Sequence, residues 1–179
     1  MADLGRIIEN PVTGERLRWH LRPGETGGRL ARAELWVSPG GGVFVEHVHP
    51  HSDERFQVLR GRMILEAGGE TRVLLAEERG RVAAGIPHRW QNGGDEELHL
   101  FIEIDDPRGF DEMIEDAFAA ARAGQTDANG RLKPLPAAAF LRAHARNTRP
   151  TSPPLLLQRL LVPPLALVAG YLQPERHQR

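Results

Sequence analysis

The chain has 179 residues, 40% hydrophobic and 26% charged, with a net charge of −1, so it suits one domain with a real core, or one domain and an appendage. It has no cysteine, which excludes disulfides and thiolate metal sites and leaves the redox compartment open. The charge is divided: residues 1–130 hold 15 arginines and 23 acids, whereas residues 131–179 hold eight Lys and Arg against Glu175 alone. A basic tail thus follows an acidic body, and nucleic acid is excluded as a favoured partner because that tail lacks interleaved aromatics.

The opening "MADLGRIIENPVTGERLRW" shows no apolar signal-type core, and a cytoplasmic location is expected. Residues 1–29 read as a lead-in with strands. From about residue 30 to 105, short apolar runs alternate with glycine-rich turns: "LARAELWV", "GVFVEHVH", "RFQVLRG", "RMILEAGG", "TRVLL", "RVAAG", "HRWQN" and "ELHLFIEI". Such spacing predicts an all-β sandwich or barrel. In the last run Leu98, Leu100, Ile102 and Ile104 share one face, and His99, Phe101 and Glu103 share the other. "EAGGET" predicts a hairpin with Gly68-Gly69 at its tip.

After Asp106-Pro107 the period becomes helical. Phe110, Met113, Ile114, Ala117, Phe118 and Ala121 predict an amphipathic helix over 108–123, ending near Gly124. Asp105, Asp106 and Asp111 surround its start and read as capping and dipole complement. "QTDANGRLKPLP" reads as a loop, "AAAFLRAHAR" as a second short helix, and "NTRPTSPP" as a Pro-rich linker. The expected organisation is therefore a lead-in at 1–29, a barrel at 30–106, a helical extension at 107–150, and a Pro-rich, apolar end at 151–179.

The richest stretch for chemistry is "GGVFVEHVHPHSDERFQVLRG", Gly41 to Gly61, which places three of the eight histidines within five residues. Side chains at i and i+2 of a strand lie on one side, so His47 and His49 project together, about 6–7 Å apart at Cα. Glu54, across the turn, heads a face otherwise held by Phe56 and Val58. A buried, unpaired carboxylate is costly, and a cation is a natural way to satisfy it. His88, in "GIPHRWQN", opens a later strand and shares a face with Trp90 and Asn92. Three imidazoles and a carboxylate suit iron, manganese, nickel, cobalt or zinc better than calcium or magnesium. Four protein ligands also leave room for water, dioxygen or a chelating substrate.

These residues carry a resemblance. Gly41, His47, His49, Glu54 and Gly61 match every fixed position of the first cupin motif, and Gly85, His88 and Asn92 match the core of the second. The chain resembles a single-domain bacterial cupin with a leucine-rich C-terminal extension. That resemblance implies a mainly β fold, a double-stranded β-helix or jelly-roll, holding a metal on His47, His49, Glu54 and His88. It also implies, by analogy, a homodimer. Two positions depart from the second motif: Ala83 stands where Pro is usual and Glu77 where Gly is usual. Gly80 is the expected substitute for the turn.

Other residues receive plainer readings. His51 follows Pro50 in the turn and is expected to face solvent or to support the ligands, with direct metal ligation as the alternative. Trp90 and Phe56 read as core, with a substrate platform beside the ligands as the alternative. Arg55, Arg89 and Gln57 point outward by alternation, and Asn92 ends its strand on backbone hydrogen bonds. His20, His99, His144 and His177 read as surface or hydrogen-bonded histidines. The segment "LLLQRLLVPPLALVAGYL", Leu155 to Leu172, has three readings: a membrane span, an interfacial anchor aided by the arginines at 142, 146, 149 and 159, or a segment packed on the barrel or a dimer partner. Spanning is disfavoured by Gln158, Arg159 and Pro163-Pro164, since a central Arg alone costs about 2.5–3.5 kcal/mol. Packing leads, with a membrane surface reached through residues 142–172 as the alternative.

Two function classes follow. One is a mononuclear-metal enzyme acting on a small organic molecule, an oxidoreductase of dioxygenase type, with Glu54 as its candidate catalytic residue; isomerisation or cyclisation are related chemistries. The other is a metal- or ligand-binding module without turnover, located by its basic, apolar tail.

Overall fold

Residues 30–105 form strands because their apolar side chains recur at every second position, and a pleated chain turns such residues toward one side. The computed structural model describes residues 5–172. It contains two antiparallel sheets. The first runs in the order β1 (Ile7–Glu9), β2 (Arg16–Leu21), β3 (Leu30–Val37), β10 (Leu98–Asp105), β5 (Glu54–Arg60) and β8 (Arg79–Val82). The second runs β11 (Arg149–Pro150), β4 (Gly42–Val48), β9 (His88–Asn92), β6 (Arg62–Ala67) and β7 (Glu70–Leu75). The fold is mainly β, of the jelly-roll type expected, with C-terminal helices. Its sheets stay separate in their hydrogen bonding and do not close into one ring.

The core lies between the sheets. Leu98, Leu100, Ile102 and Ile104 of β10 are all buried, and in register the last three face Val58, Phe56 and Glu54 of β5. Trp90, Met63 and Leu65 supply the other sheet's side of the same cluster. Each such Leu, Ile or Phe contributes roughly 1.5–3 kcal/mol on leaving water, so the β5–β10 pairing is strongly specified. A slip of one residue would turn the whole stripe outward.

The turns follow the sequence, with one exception. Gly68 and Gly69 take φ of 60° and 85° between β6 and β7, as a two-residue hairpin demands. Gly80, however, does not serve the turn after β7. It lies inside β8, where a Cβ would come within 2.7 Å of Leu74 Cδ1. Glu77 itself adopts the left-handed conformation, φ 69°, and its N–H donates to Val58 O at 2.9 Å. The motif's departure from glycine therefore leaves the backbone shape intact at a conformational cost of about 1–2 kcal/mol.

The C-terminal third departs further from expectation. Helix α1 (Phe110–Arg122) matches the predicted one and ends at Gly124, φ 66°. Its N-cap is Gly109, and no aspartate caps it: Asp105 ends β10 paired with Arg55, Asp106 pairs with Arg108, and only Asp111 lies in the first turn. Helix α2 (Pro134–His144) starts earlier than "AAAFLRAHAR", because Pro134 fits the first helical turn. "NTRPTSPP" is not a free linker. Asn147 and Thr148 are buried, and Arg149–Pro150 pairs with β4.

Helix α3 (Leu155–Leu172) packs along α2. It buries Gln158, Ala166 and Ala169, but leaves Leu156, Leu160 and Leu167 at 74%, 70% and 65% exposure. Among the described residues no helix is long and apolar enough to cross a membrane. His20 and His99 both hydrogen-bond the Glu34 carboxylate, and His144 bonds Asp116. His177 lies outside the described residues.

One buried acid makes stability depend on pH. Burial pushes the Glu15 carboxyl up to about 7, against the opposing hydrogen bond from the Thr13 hydroxyl. Below about 4.5 the group is protonated in both folded and unfolded chains. Between about 4.5 and 7 the unfolded chain sheds the proton first, so this group makes stability fall as pH rises through that window, by roughly 2–4 kcal/mol. His47, lowered to about 4, contributes with the opposite sign over much of this window, so the measurement is a difference: in urea denaturation from about pH 4.5 to 8, the wild type should lose roughly 2–4 kcal/mol more stability with rising pH than Glu15→Gln does.

A candidate metal centre between the two sheets

The first motif's glutamate and the histidines come from different sheets. Glu54 is the first residue of β5 in the six-stranded sheet, while His47 on β4 and His88 on β9 stand directly opposite each other in the five-stranded one. His49 lies one residue past the end of β4. The turn that links β4 to β5 is tied down by its neighbours. Gly85 N–H donates to His49 O at 2.8 Å, Ala84 N–H to Asp53 Oδ1 at 2.9 Å, and Ser52 Oγ to Asp106 O at 2.7 Å. The two sequence motifs are thus stitched to each other by one backbone hydrogen bond and one to the Asp53 carboxylate.

Strand β4 reaches His47 through an irregularity. Val43 pairs with Trp90 and His47 with His88, so four steps on β4 span two on β9. Such a bulge bends its strand and re-aims a side chain. It leaves Val45 44% exposed and His47 half-buried, whereas His49, Glu54 and His88 are no more than 2% exposed. The site therefore meets solvent on the His47 side.

All four sequence-predicted ligands come together. Each offers one donor atom, and these lie within 4.8 Å of one another. Ligands held about 2.0–2.2 Å from one ion sit roughly 3–4.4 Å apart, so the set needs only small adjustments. The tautomers are fixed from outside. His47 Nδ1 donates to Val45 O at 2.9 Å, His49 Nδ1 to Asn147 O at 2.8 Å, and His88 Nδ1 to Ile86 O at 2.9 Å. A carbonyl only accepts, so each ring carries its proton on Nδ1 and turns Nε2 inward, the arrangement that suits metal-binding histidines.

Inside, the donors outnumber their partners. His88 Nε2 meets Glu54 Oε2 at 2.6 Å, while His49 Nε2 is 3.8 Å from the same oxygen and is buried with no hydrogen-bond partner. Burial raises the Glu54 carboxyl, but the His88 hydrogen bond and the neighbouring imidazoles bring it below the usual carboxylate range. Burial lowers His88, and its bond to Glu54 reverses that and holds it above the usual range. His47 falls to about 4, through burial and the adjacent His88. The 2.6 Å contact between His88 Nε2 and Glu54 Oε2 holds a shared proton, because both atoms otherwise only accept. The orphaned His49 Nε2 and the inward N₃O donor set fit a transition-metal ion of the kinds named above.

The remaining predicted residues fall where their parity puts them. Phe56 and Trp90 are buried in the core, edge to face at 6.1 Å. His51 is exposed in the turn. Asn92 ends β9 with its amide donating to Val37 O and Glu96 O. Arg89 pairs outward with Glu66. Asn147 was not foreseen. It lies 98 residues from His49, its carbonyl receives that ring's proton, and its side-chain amide donates to Pro107 O at 2.6 Å. Phe110 of α1 also packs edge-on against the His49 ring at 5.9 Å. Only tertiary folding brings these residues to the site; no spacing announces them.

Comparison with known proteins bears on the family and the fold. The model of the cupin domain matches residues 34–104. A protein named as polyketide synthase CurC, from Streptomyces cyaneus, is 31% identical over 104 residues, which are 58% of this chain and 68% of that protein. Among solved structures, a predicted oxalate decarboxylase from Thermotoga maritima superposes with a TM-score of 0.50 at 18% identity, over 56% of this chain and 90% of that one. An RmlC-like cupin from Shewanella frigidimarina gives 0.49 at 19% identity, over 60% and 89%. At these identities the structural likeness concerns the fold alone.

Removing the Asn147 side chain tests the support of His49. Asn147→Ala removes one of the two donors to the Pro107 carbonyl, which keeps the Phe110 N–H, and should cost about 0.5–1.5 kcal/mol of stability. It should also loosen the carbonyl that orients His49 and weaken metal binding roughly 10-fold. Chemical denaturation and titration against a chromogenic chelator measure the two effects separately.

Proposed function

The chain belongs to the cupin superfamily, and we propose that it holds one divalent transition metal on His47, His49, Glu54 and His88 and acts with it on a small organic molecule. The observation that carries this reading is the set of three imidazoles tethered at Nδ1, with His49 Nε2 buried and unpartnered beside a buried carboxylate. A bound iron, manganese, nickel, cobalt or zinc ion would supply Lewis-acid chemistry, and redox chemistry where the metal permits. His47, His49 and His88 would act as neutral imidazoles, their orientation set by Val45, Asn147 and Ile86. Glu54 would balance the ion's charge, and its Oε2, already in a short contact with an imidazole, is placed to take up a proton when substrate enters. Phe56 and Trp90 keep the deep side of the site dry, and substrate would approach past Val45 and His47.

Within that frame we assign an oxidoreductase of dioxygenase type, because oxygen chemistry at a metal asks little of the protein beyond holding and orienting. The relative named as a polyketide synthase makes polyketide intermediates the first small molecules to try. A cytoplasmic homodimer is part of the same proposal. The second reading rests on α3, whose exposed leucines follow a basic stretch. In it the protein is a metal- or ligand-binding module without turnover, located by residues 142–172 at a membrane surface.

Reconstitution with each metal in turn, followed by oxygen uptake and product analysis over a panel of polyketide intermediates, separates the readings. The enzyme reading expects turnover with one metal, a loss of at least about 100-fold in His88→Ala, and a comparable loss in Glu54→Gln. Stoichiometric metal without turnover of any panel member would favour the module.

A further inference from the structure

The outer face of the six-stranded sheet carries a second concentration of charge, separate from the imidazoles. Strand register builds it. Arg32 on β3 lies opposite Glu103 on β10, Glu103 opposite Arg55 on β5, and Arg55 opposite Arg81 on β8, so four charged residues form one row across four strands. In the adjoining row Phe101 faces Gln57, and Gln57 faces Arg79. Together with Arg72 of β7, these residues line a cleft of about 470 Å³, a size typical of small-molecule sites. None of the four candidate metal ligands lines it. Arg55 and Gln57 alternate with the buried Glu54 and Phe56, and Phe56 with Gly80 forms the floor of the cleft.

Cross-strand ion pairing explains part of this cluster and leaves a residue. Arg55 binds Asp105, Arg81 binds Asp53, and Arg32 stands 3.5 Å from Glu103 with its guanidinium 4.1 Å above the Phe101 ring. The side chains of Arg72 and Arg79 form no ion pair or hydrogen bond among the described residues, and both are exposed. Arg32 Nε is buried without a hydrogen-bond partner. The cleft therefore keeps two uncompensated positive charges. It does so on the part of the chain where acids outnumber arginines 23 to 15, so the excess runs against the charge of its surroundings. A solvated face of ordinary composition would not concentrate guanidinium groups around a concave surface with an aromatic ring in it.

We propose that this cleft binds a small organic dianion of the phosphate-monoester or dicarboxylate type. Arg72 and Arg79 take its charged oxygens through forked N–H donors, and the Arg32–Phe101 stack supports its carbon skeleton. The ion-paired Arg55 and Arg81 are held in place by Asp105 and Asp53, so little side-chain freedom remains for the ligand to freeze. The cleft shares no lining residue with the four candidate metal ligands.

Isothermal titration of the full chain with inorganic phosphate and, separately, with succinate, at fixed ionic strength, tests the assignment. Saturable binding of at least one probe is expected, with about tenfold or greater weakening in Arg72→Gln/Arg79→Gln. Arg89→Gln, which removes a guanidinium paired with Glu66 on the other sheet, should bind as the wild type does. The stronger of the two probes distinguishes a phosphate from a dicarboxylate ligand. Circular dichroism and the melting temperature without anion check that the double variant is folded. No saturable binding of either probe, or equal affinity in the double variant, would overturn the proposal. So would binding that survives the arginine substitutions but is lost in His47→Ala/His49→Ala, because the anion would then sit at the imidazoles.

Discussion

A carboxylate buried in an apolar stripe is the constraint on which the rest of this structure turns. Glu54 stands where β5 would otherwise continue the row of Val58 and Phe56, facing Ile104 of β10. Removing an ionised carboxylate from water costs several kcal/mol unless charge and hydrogen bonds are returned to it. The opposite sheet returns both. His88 reaches its Oε2 directly, His49 lies close by, and His47 completes the ring of imidazoles. The bulge of β4, the hydrogen-bonded turn from His49 to Asp53, and the pairing of His47 with His88 all serve to hold that ring around one oxygen. A proton balances the charge when the protein is alone. A metal ion would do so while also using the lone pair that His49 leaves unpartnered.

The C-terminal part of the chain is joined to this arrangement. The carbonyl of Asn147 fixes the His49 tautomer, β11 covers the free edge of β4 beside His47 and Val48, and Phe110 packs against the His49 ring. Residues that follow the barrel in sequence therefore help to set the geometry of its interior. The consequence is a coupling: loss of order between residues 107 and 150 would reach the ligands through two contacts on His49 and through the β11 pairing beside His47. Helix α3 lies beyond this coupling. It is fastened by Gln158, whose amide donates to Pro150 O and Pro153 O, and by small residues against α2. Its leucines remain available for another surface.

Much of this was legible in the amino-acid sequence, for reasons that are local. Alternation in "ELHLFIEI" gave the inner and outer faces of β10, and the parity of 47, 49 and 54 placed two imidazoles and a carboxylate where the sheets meet. What was not legible depends on distant chain. Nothing near Asn147 marks it as the partner of a histidine 98 residues earlier, and "NTRPTSPP" resembles a linker because proline hides its pairing with β4. The aspartates before α1 looked like caps, but cross-strand arginine and a left-handed Gly109 displaced them. Glu77 in the left-handed region was invisible for a different reason: the fold needs the shape more than it needs glycine. The arginine cleft could be read only in part, since alternation turned Arg55 outward but only register put Arg32, Arg55 and Arg81 in one row.

The central claim is that the buried carboxylate and three imidazoles exist to hold one metal ion. Elemental analysis of protein purified without an affinity tag, beside the His47→Ala/His49→Ala variant, tests it most directly. The account predicts close to one equivalent of a transition metal per chain in the wild type and its loss in the folded variant. Wild-type protein that carries no metal and takes none up on reconstitution would contradict it, and would leave the Glu54–His88 pair as a purely structural ion pair.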